Sequence, residues 1–541
     1  MSTSSGINSA HFSVEKILAA LGVSVTQLVS DSRAVHVGDT FLAYPGAQAD
    51  GRKFIAQAIQ NGANAVIWEA QNFVWDKDWH IPNFAVNNLR HHAGELANYL
   101  YGAPSGKLWM IGITGTNGKT SCSHWIAHVL QSLPQSAHGK KTVLIGTLGN
   151  GFTGALQPTL NTTPDVVLLH QLLAGYLADD AQAVSMEVSS HALQQGRVNG
   201  VKFDVALLTN LSRDHLDYHN NMRDYAAAKG SLFDWPQLKY AVLNLDDDFG
   251  ANLAEQMRDK EAEIICYGLT DAALEMAERL GLRMVYGGAL QMSAQGLSIQ
   301  VHSSWGSGTL HSALLGRFNA SNLLGVLAVL LVSDIALQDA LRELSRVKAV
   351  AGRMQTLGGN KLPTVVIDYA HTPDALEKVL QTLREVSAQD PDQEAVAEST
   401  GEHSNGRLIC VFGCGGNRDA GKRSVMGAIA ARLADVCIVT SDNPRNENPQ
   451  AIIAAIVAGM DSANKINPVE IIEDRAAAIT QAVHAARAAD TVLVAGKGHE
   501  NYQEIHGIKY PFSDILIVQQ ALQSWNSRAQ QEAGSHKGTM S

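Results

Sequence analysis

The 541-residue chain carries 41 lysines and arginines against 52 aspartates and glutamates, which gives a formal net charge of -11. This balance argues against a nucleic-acid partner, because binding to a phosphate backbone needs a basic face. Five scattered cysteines without zinc-ligand spacing, and a polar start to the chain that lacks a signal peptide, predict reduced thiols and a cytoplasmic protein without membrane insertion.

Residues 1–102 predict a small α/β domain. The whole chain is longer than one hydrophobic core supports, and three domains fit its pattern of apolar runs. In the first domain, short strand and helix signals surround a turn-rich loop at 44–46. We expect hinges near Ala103 and Gly352, at small residues where the domains meet.

Residues 103–351 predict a central domain, in which the alternation of strand and helix signals indicates a mainly parallel sheet. The apolar run 323–332 is too short to span a bilayer and predicts a buried helix, within a long helical segment ending near residue 337. Strands are also predicted at 108–113, 183–186 and 205–208, and a helix is predicted at 119–133.

Residues 352–541 predict a Rossmann-like third domain. Residues 388–407 are rich in Gln, Glu, Asp, Ser and Gly and predict a mobile surface insertion. Residues 526–541 predict a disordered tail. The strands of this domain are predicted at 364–367, 408–412, 436–440 and 491–495.

A glycine-rich loop between the strand at 108–113 and the helix at 119–133 predicts a phosphate site. Backbone N–H groups of such a loop close around phosphate oxygens, while Lys119 supplies a point charge and the Thr120 hydroxyl can face a metal ion. The strict phosphate-loop pattern is not met, because Ile113 stands where that pattern requires its first glycine. The order of strand, loop and helix still indicates nucleotide binding.

Several further motifs accompany this loop. They are Met-Glu-Val-Ser-Ser-His at 186–191, Asn-Leu-Ser-Arg-Asp-His-Leu-Asp at 210–217, Phe-Asn-Ala-Ser-Asn at 318–322, Asp-Tyr-Ala-His-Thr-Pro-Asp at 368–374, Asp-Asn-Pro-Arg at 442–445 and Gly-Lys-Gly-His-Glu at 496–500. With the glycine loop, they follow the order of motifs in the Mur ligase family and spread over nearly the whole chain. The chain therefore resembles that family.

The resemblance implies a three-domain amide ligase that uses ATP and Mg²⁺ and forms an acyl-phosphate intermediate. Within the family, the chain is most similar to members that join meso-2,6-diaminopimelate to the D-glutamate γ-carboxylate of UDP-N-acetylmuramoyl-L-alanyl-D-glutamate, in peptidoglycan precursor synthesis. The implied partners are therefore small molecules, and we expect a monomer.

The resemblance also assigns residues to the phosphoryl-transfer site. The implied catalytic residues are Lys119, Glu187, His215 and Lys229. The implied ATP contacts are Gly115, Thr116, Asn117, Gly118, Lys119, Thr120, Ser121, Asn319 and Asp368. The implied magnesium ligands are Thr120, Glu187, His215 and Lys229, the last as a carbamate, whose formation requires a neutral amine. On the residues alone, Glu187 would be interpreted as a solvated strand-end carboxylate, His215 as a polar loop residue or a satisfied core histidine, and Lys229 as a solvated helix residue.

The nucleotide-sugar substrate is implied to bind along a path of hydrogen-bonding residues. Ser30, Ser32, Ala47, Gln48 and Ala49 match the positions that hold the uridine diphosphate. Asn161, Thr162, Thr163, Ser189, Gln195 and Arg197 match those that hold the muramoyl dipeptide. On the residues alone, most of these side chains would be interpreted as turn and capping groups.

A third set is implied to bind diaminopimelate, whose second amino-acid head carries an extra carboxylate and an extra ammonium group. Arg445 can hold the carboxylate by a bidentate pair, and Glu500 offers charge to the ammonium. With lysine bound instead, Arg445 would lose its anionic partner, which disfavours that substrate. The full set is Arg418, Asp442, Asn443, Pro444, Arg445, Gly496 and Glu500.

Three alternatives stay open at this point. A lysine-adding ligase and a folylpolyglutamate-type ligase would share the fold, although Arg445 and Glu500 argue against both. A non-catalytic nucleotide-binding scaffold would need the glycine loop but has no evident need for Glu187, His215 and Lys229.

Overall fold

The computed structural model describes residues 12–46, 49–133, 141–216, 218–293, 295–359, 361–388, 406–460 and 468–537. The helices are α1 Val14–Leu21, α2 Ile55–Gln60, α3 Leu89–Leu100, α4 Lys119–Ser132, α5 Val166–Ala178, α6 Ser190–Gln195, α7 Met222–Gly230, α8 Asp248–Gln256, α9 Asp271–Leu280, α10 Arg317–Val332, α11 Leu337–Leu344, α12 Pro373–Ala388, α13 Lys422–Leu433, α14 Pro449–Met460, α15 Arg475–Ala485 and α16 Asp514–Lys537. Short 3₁₀ turns lie at Ser32–Ala34, Gly51–Phe54, Pro104–Lys107 and Ser231–Asp234.

The strands of the first two domains are β1 Leu28–Val29, β2 Thr40–Ala43, β3 Ala65–Glu69, β4 Asn83–Val86, β5 Trp109–Thr114, β6 Thr142–Gly146, β7 Gly149–Phe152, β8 Ala183–Glu187, β9 Val205–Leu208, β10 Tyr240–Asn244, β11 Glu263–Gly268, β12 Arg283–Ser293, β13 Gly296–Ser303 and β14 Gly306–Ser312. Those of the third are β15 Gln355–Gly358, β16 Thr364–Asp368, β17 Leu408–Phe412, β18 Val436–Val439, β19 Val469–Ile471, β20 Thr491–Ala495, β21 Tyr502–Ile505 and β22 Ile508–Pro511.

The N-terminal sheet is parallel, in the order β1-β2-β3-β4. Its middle strands β2 and β3 are buried along their whole length, because continuous runs of apolar residues suit strands covered on both faces. The helices α1 and α3 cover one face, and Val166 and Val167 of α5 complete that core from the central domain.

The central sheet has the order β14-β13-β12-β11-β10-β9-β5-β8-β6-β7 within the described part of the chain. The strands from β12 to β6 are parallel, whereas β13, β14 and β7 pair antiparallel at the two ends. The strand β5 lies between β9 and β8, so the loops after these three strands meet at one edge of the sheet. The helix α10 packs into this core and is buried from residue 322 to residue 332.

The third sheet has the order β15-β16-β20-β17-β18-β19, and only its edge strand β15 is antiparallel among the described strands. The carboxyl ends of β16, β20, β17 and β18 therefore point the same way. The hairpin of β21 and β22 follows β20 and lies beside the loop after β18, through a bridge between Arg445 and Ile505.

The sequence predicted most of the functional strands to within a residue or two, and the structure shows where the pattern was incomplete. The buried helix ends at Val332, and α11 begins at Leu337, where one continuous helix was predicted. The strands β12, β13 and β14, which pair antiparallel with one another, were not predicted. A disordered tail was predicted from residue 526, whereas α16 continues to Lys537. Of the predicted insertion at 388–407, residues 389–405 lie outside the described residues.

Within the described ranges, none of the helices combines the length and the apolar character that a membrane crossing would need.

Candidate active site

The glycine loop joins β5 to α4 and is folded around its own lysine. Gly115 has φ +145°, and a Cβ atom there would lie 1.9 Å from Thr209 Oγ1, so this position requires glycine. Lys119 Nζ donates to the carbonyl oxygens of Gly115 at 2.8 Å and of Thr116 at 2.9 Å. Burial lowers the pKa of the Lys119 ammonium group. The lysine thus stands at the centre of the loop, where a phosphate group would meet it.

The segment after β9 holds the loop from outside. The Asn117 backbone N–H donates to Asn210 Oδ1 at 3.0 Å, and Thr116 Oγ1 donates to the Ser212 carbonyl at 3.1 Å. The Asn117 side chain also donates from Nδ2 to Asp374 Oδ2 of the third domain, at 3.1 Å. Asn117, which is predicted to contact the nucleotide, therefore forms hydrogen bonds with both the central and the third domain.

A carboxylate and a hydroxyl meet beside the loop. Glu187, the last residue of β8, is buried and accepts hydrogen bonds from the Thr147 backbone N–H at 2.8 Å and from Thr120 Oγ1 at 3.0 Å. Ser121, next along α4, is also buried. The oxygens of Thr120 and Glu187 are close enough to be shared by one divalent cation.

The two other predicted ligands are His215 and Lys229. The His215 imidazole has its Nε2 atom 3.3 Å from Asp214 Oδ2, and burial lowers its pKa below the usual range. Lys229 is buried and donates from Nζ to the Gly115 carbonyl at 2.8 Å. Burial, reinforced by the charge of Lys119, lowers the pKa of Lys229 well below its ordinary value. A neutral amine is the form that can react with carbon dioxide to give a carbamate.

The residues of this site fit a magnesium ion that is completed by substrate. No three His, Cys, Asp or Glu side chains in the described ranges form a metal site by themselves. Magnesium keeps several waters and uses one or two carboxylates together with substrate phosphates. Glu187, the Thr120 hydroxyl and a Lys229 carbamate are oxygen donors of this kind, and a neutral His215 could serve beside them.

The predicted muramoyl-dipeptide residues lie next to Glu187. Thr163 Oγ1 donates to the Glu187 carbonyl at 2.8 Å and accepts from the Ser189 backbone N–H at 3.2 Å. Asn161 is exposed and Thr162 half-buried in the same segment. The structure therefore brings residues from two separate motifs to the end of β8.

Gln195 and Arg197 follow at the end of α6. Arg197 donates from Nε to Gln195 Oε1 at 2.8 Å and from Nη1 to the Thr163 carbonyl at 3.0 Å. Gln195 donates from Nε2 to the Tyr218 hydroxyl at 3.1 Å. These contacts orient both side chains.

The predicted uridine-diphosphate residues lie mostly in the N-terminal domain. Ser32 Oγ donates to Gln57 Oε1 at 2.8 Å, and Ser30 Oγ donates to Asp165 Oδ1 of the central domain at 3.3 Å. The Ala49 carbonyl accepts a backbone N–H at 2.8 Å and closes a tight turn. Ala47 and Gln48 lie outside the described residues.

Two predicted ATP contacts stand where the central and third domains meet. Asp368, at the end of β16, accepts from the Met354 backbone N–H at 2.7 Å, and burial raises its pKa to about 6. Asn319, near the start of α10, is buried and donates from Nδ2 to the Leu315 carbonyl at 2.8 Å. Both side chains thus stabilise the local backbone.

Lys497 organises the predicted diaminopimelate pocket. Its ammonium group is buried and donates to Asn443 Oδ1 at 3.0 Å and to Glu500 Oε2 at 2.7 Å. Asn443 donates in turn from Nδ2 to Glu500 Oε2 at 2.8 Å. These bonds fix the orientation of the Asn443 amide and of one Glu500 oxygen, while Glu500 Oε1 has no donor among the described residues.

Arg445 lies at the other side of the pocket. It donates from Nη1 to the Gly416 carbonyl at 2.8 Å, and its Nε atom lies 3.3 Å from Glu504 Oε2. Its backbone has φ +50° and is bonded on both sides to β21 and the turn after it. Its Nη2 atom has no acceptor within the described residues, so that end of the guanidinium is available for a ligand.

The remaining predicted pocket residues surround these two groups. A Cβ atom at Gly496, where φ is +115°, would lie 2.6 Å from Asp442 Oδ2, so glycine allows the two loops to approach. Arg418 is exposed, and its side chain passes near Gly415, which also borders Arg445. Pro444 packs its carbonyl against Gly416.

Three residues of the site did not stand out in the sequence. Lys497 lies within the Gly-Lys-Gly-His-Glu motif at 496–500, and a lysine between two glycines directly after a buried strand is a signal that can indicate a functional residue. Glu504 carries no such signal. Arg353 contacts Thr120 Oγ1 from Nη2 at 3.3 Å and lies 4.2 Å over the Tyr369 ring, a position that depends on how two domains meet.

Three family models match the chain. The family models that match are the Mur ligase family catalytic domain over residues 24–101, the Mur ligase middle domain over 113–330, and the Mur ligase glutamate ligase domain over 352–392 and 388–498.

Relatives match over nearly their full length. The chain is 49% identical to a UDP-N-acetylmuramoyl-L-alanyl-D-glutamate--2,6-diaminopimelate ligase of Nitrosomonas europaea, with 96% of this chain and 98% of the relative covered. It is also 49% identical to the ligase of that name from Chromobacterium violaceum, with 95% and 97% covered. A solved structure of a ligase with this name is 36% identical, has a TM-score of 0.63, and is matched over 93% of this chain and 95% of its own. The chain belongs to the Mur ligase family.

Proposed function

We propose that the protein is an ATP-dependent amide ligase that joins meso-2,6-diaminopimelate to the D-glutamate γ-carboxylate of UDP-N-acetylmuramoyl-L-alanyl-D-glutamate. This is a step of peptidoglycan precursor synthesis, which we place in the cytoplasm and assign to a monomer. Two relatives that share 49% of their residues with the chain are named for this ligase. The structural observation that carries the proposal is that Glu504 links Arg445 to the cluster of Lys497, Asn443 and Glu500. The Glu504 carbonyl accepts the Arg445 backbone N–H at 3.0 Å, and the Glu504 backbone N–H donates to Asn443 Oδ1 at 2.9 Å.

The pocket supplies opposite charges for one amino-acid head. Arg445 Nη2 faces no protein acceptor in the described ranges and offers N–H donors to a carboxylate, while Glu500 Oε1 is left to accept from an ammonium group. Diaminopimelate has this head in addition to the amine that reacts. Lysine has no second carboxylate, so Arg445 would lose a charged partner on binding it.

The first half-reaction activates the substrate carboxylate. The D-glutamate γ-carboxylate attacks the γ-phosphorus of ATP, ADP leaves, and an acyl phosphate forms. Lys119 exchanges its bonds to the Gly115 and Thr116 carbonyls for phosphoryl oxygens, which stabilises the charge that develops in transfer. Bound through the four ligands proposed below, Mg²⁺ would neutralise part of the same charge.

The second half-reaction forms the amide bond. The neutral amine of diaminopimelate attacks the carbonyl carbon of the acyl phosphate, inorganic phosphate leaves with the bonding electron pair, and the amine proton passes to solvent. The proposed role of the pocket around Arg445 and Glu500 is to hold the distal head of diaminopimelate, which limits the positions that the reacting amine can take.

Magnesium would be held by Thr120, Glu187, His215 and a carbamate on Lys229. The buried amine of Lys229 and its lowered pKa favour carbamate formation. Supplying ¹³C-labelled bicarbonate should give a carbamate carbon signal that is absent from the Lys229→Met variant. A wild-type protein without this signal would remove Lys229 from the ligand set.

The first experiment is phosphate release from ATP in the presence of the muramoyl dipeptide nucleotide, with meso-diaminopimelate or L-lysine as acceptor. The proposal expects release that depends on both organic substrates and that strongly prefers diaminopimelate. A preference for lysine would keep the ligase chemistry and overturn the pocket assignment. Release with neither acceptor would contradict the proposed function and favour a non-catalytic nucleotide-binding scaffold.

A further inference from the structure

Two guanidinium groups from different domains meet at Gln195. Arg90, the second residue of α3 in the N-terminal domain, donates from Nε to the Gln195 carbonyl at 3.2 Å. Arg197, in the central domain, donates from Nε to the side-chain oxygen of the same residue at 2.8 Å. The two positively charged guanidinium groups are therefore close to each other. Both arginine side chains are half-buried.

Most of the remaining donors of this pair are unused. Arg197 Nη1 donates to the Thr163 carbonyl at 3.0 Å. Arg197 Nη2 and both Nη atoms of Arg90 have no acceptor within the part of the chain that the structure describes. An arginine carries five N–H donors and keeps its charge at any physiological pH, so the pair retains a capacity for an anion.

The nearby carboxylate does not use up this capacity. Asp165 is the acidic group whose field acts on Arg197, but one of its oxygens already accepts two backbone N–H groups at the start of α5 and the Ser30 hydroxyl. The Tyr44 hydroxyl lies in the same neighbourhood, and burial raises its pKa to about 12, so it remains a neutral donor at physiological pH. Two cations and a phenol therefore share the field of one carboxylate, whose Oδ1 atom already accepts three hydrogen bonds.

We propose that Arg90 is a substrate-binding residue that, together with Arg197, holds an anionic group of the nucleotide-sugar substrate between the N-terminal and central domains. The inference rests on the proposed function, in which Gln195 and Arg197 serve the dipeptide end of that substrate. The proposal adds Arg90, a charged residue, to the substrate contacts that the N-terminal domain is predicted to make through residues 47–49.

Two groups of the substrate have the required chemistry. The diphosphate is a strong acceptor for paired guanidinium groups, and the free carboxylates of the dipeptide are the other possibility. Because the two arginines come from different domains, either anion would bridge the first domain junction when bound.

The test uses Arg90→Gln, which keeps an N–H donor for the Gln195 carbonyl and removes the charge. Lys16→Ala is the matched control, because it removes an exposed cation from α1 of the same domain. Calorimetry of the full-length protein measures binding of uridine diphosphate alone and of UDP-N-acetylmuramoyl-L-alanyl-D-glutamate. We expect the variant to bind the complete substrate at least roughly tenfold more weakly, and the control to match the wild type.

The two ligands distinguish the sources of the anion. An equal loss for both ligands identifies the diphosphate, and a loss confined to the complete substrate identifies a peptide carboxylate. Added salt should weaken wild-type binding more steeply than binding by Arg90→Gln, because one charge pair fewer is screened.

Unchanged affinity for both ligands in Arg90→Gln would overturn the proposal and leave Arg90 as a clamp on Gln195. The variant Arg90→Lys guards against a folding defect, since it restores the charge and should regain part of the lost affinity. No recovery in this variant, together with an equal loss of thermal stability in both, would also overturn the proposal. A wild type that binds neither ligand would instead contradict the proposed function.

Discussion

The two domain junctions of this chain are built in different ways. At the first, α3 of the N-terminal domain and α5 of the central domain share one apolar core, and Gly94 approaches Asn199 so closely that a Cβ atom would lie 2.0 Å from its carbonyl oxygen. At the second, the contacts named above are mostly polar, from Asn117 to Asp374 and from Arg353 to Thr120.

This difference indicates which domain moves. A shared apolar core makes two domains behave as one body, whereas a polar interface permits relative motion. The sequence predicted hinges near both Ala103 and Gly352, and the packing favours motion at Gly352. Among the described residues, the half-buried Leu315 and Phe318 of the central domain pack against the third-domain core across the second junction. Scattering profiles should therefore change when nucleotide and substrates bind, with the third domain closing on the other two.

The largest expected effect is a loss of stability when the packing of the first domain junction is disrupted. Gly94→Ala places a methyl group against the Asn199 carbonyl and should lower the free energy of unfolding by about 3 kcal/mol. Urea unfolding followed by tryptophan fluorescence measures this loss. Gly175→Ala in α5 is the control, because a Cβ atom there meets nothing within 4 Å, and it should change stability by no more than about 1 kcal/mol. Equal effects of the two variants would contradict the shared-core interpretation.

The next effect tests the third domain as a separate binding unit. Arg445→Ala should raise the KM for diaminopimelate roughly a hundredfold, because a charged hydrogen-bonding partner is lost. The KM for ATP and the free energy of unfolding should change little, since the hydrogen bonds and ion pair that join Arg445 to other described residues all lie within the third domain. Arg487→Ala, which removes an arginine that is 65% exposed on the same domain, is the control for steady-state kinetics. Unchanged diaminopimelate kinetics in Arg445→Ala would remove Arg445 from the pocket.

The free energy of unfolding should depend on pH through Asp368, which lies at the polar second junction. Burial raises the Asp368 pKa from 3.8 to about 6, so the protonated form suits the fold, and its stabilising contribution is lost as pH rises from about 4 through about 6. Asp368→Asn should therefore gain stability relative to the wild type over this range, by on the order of 2 kcal/mol. Unfolding by urea at several pH values measures the difference. A constant difference from pH 4 to pH 7 would contradict the assigned cause.

The smallest effect concerns an ion pair across the second junction. Arg213 Nη2 lies 3.6 Å from Asp419 Oδ2, and the arginine side chain is 56% exposed. A double-mutant cycle with Arg213→Ala and Asp419→Ala should give a coupling below about 1 kcal/mol, and salt should reduce it further. A larger coupling that resists salt would mean that the second junction is more rigid than its polarity indicates.

Sequence reasoning recovered most of the framework, because buried parallel strands have continuous apolar runs. The strands β9, β17 and β20 were predicted with the bounds that the structure shows. It missed β12 to β14, where glycines such as Gly287 and Gly288 interrupt the alternation of apolar and polar residues. These strands extend the central sheet away from the site.

The sequence predicted those residues of the site that lie in local motifs, but not the contacts that form between distant parts of the chain. The loops that hold Asn443 and Glu500 are far apart in the chain and meet because β18 and β20 flank β17, which no local spacing reveals. The role of Lys497 depends on that meeting. The contacts of Arg90 and Arg353 depend on how whole domains are placed, and so they lay beyond the reach of any single motif.

The five cysteines have a practical consequence. All are free and buried, Cys122 and Cys266 in the central domain and Cys410, Cys414 and Cys437 in the third. Burial raises the pKa of both Cys266 and Cys414 to about 12, so these thiols stay protonated and unreactive in the folded chain. The rate at which a thiol reagent labels each cysteine therefore reports how often the structure around it opens. These rates can be measured separately for the central and third domains, whereas the N-terminal domain contains no cysteine and gives no signal.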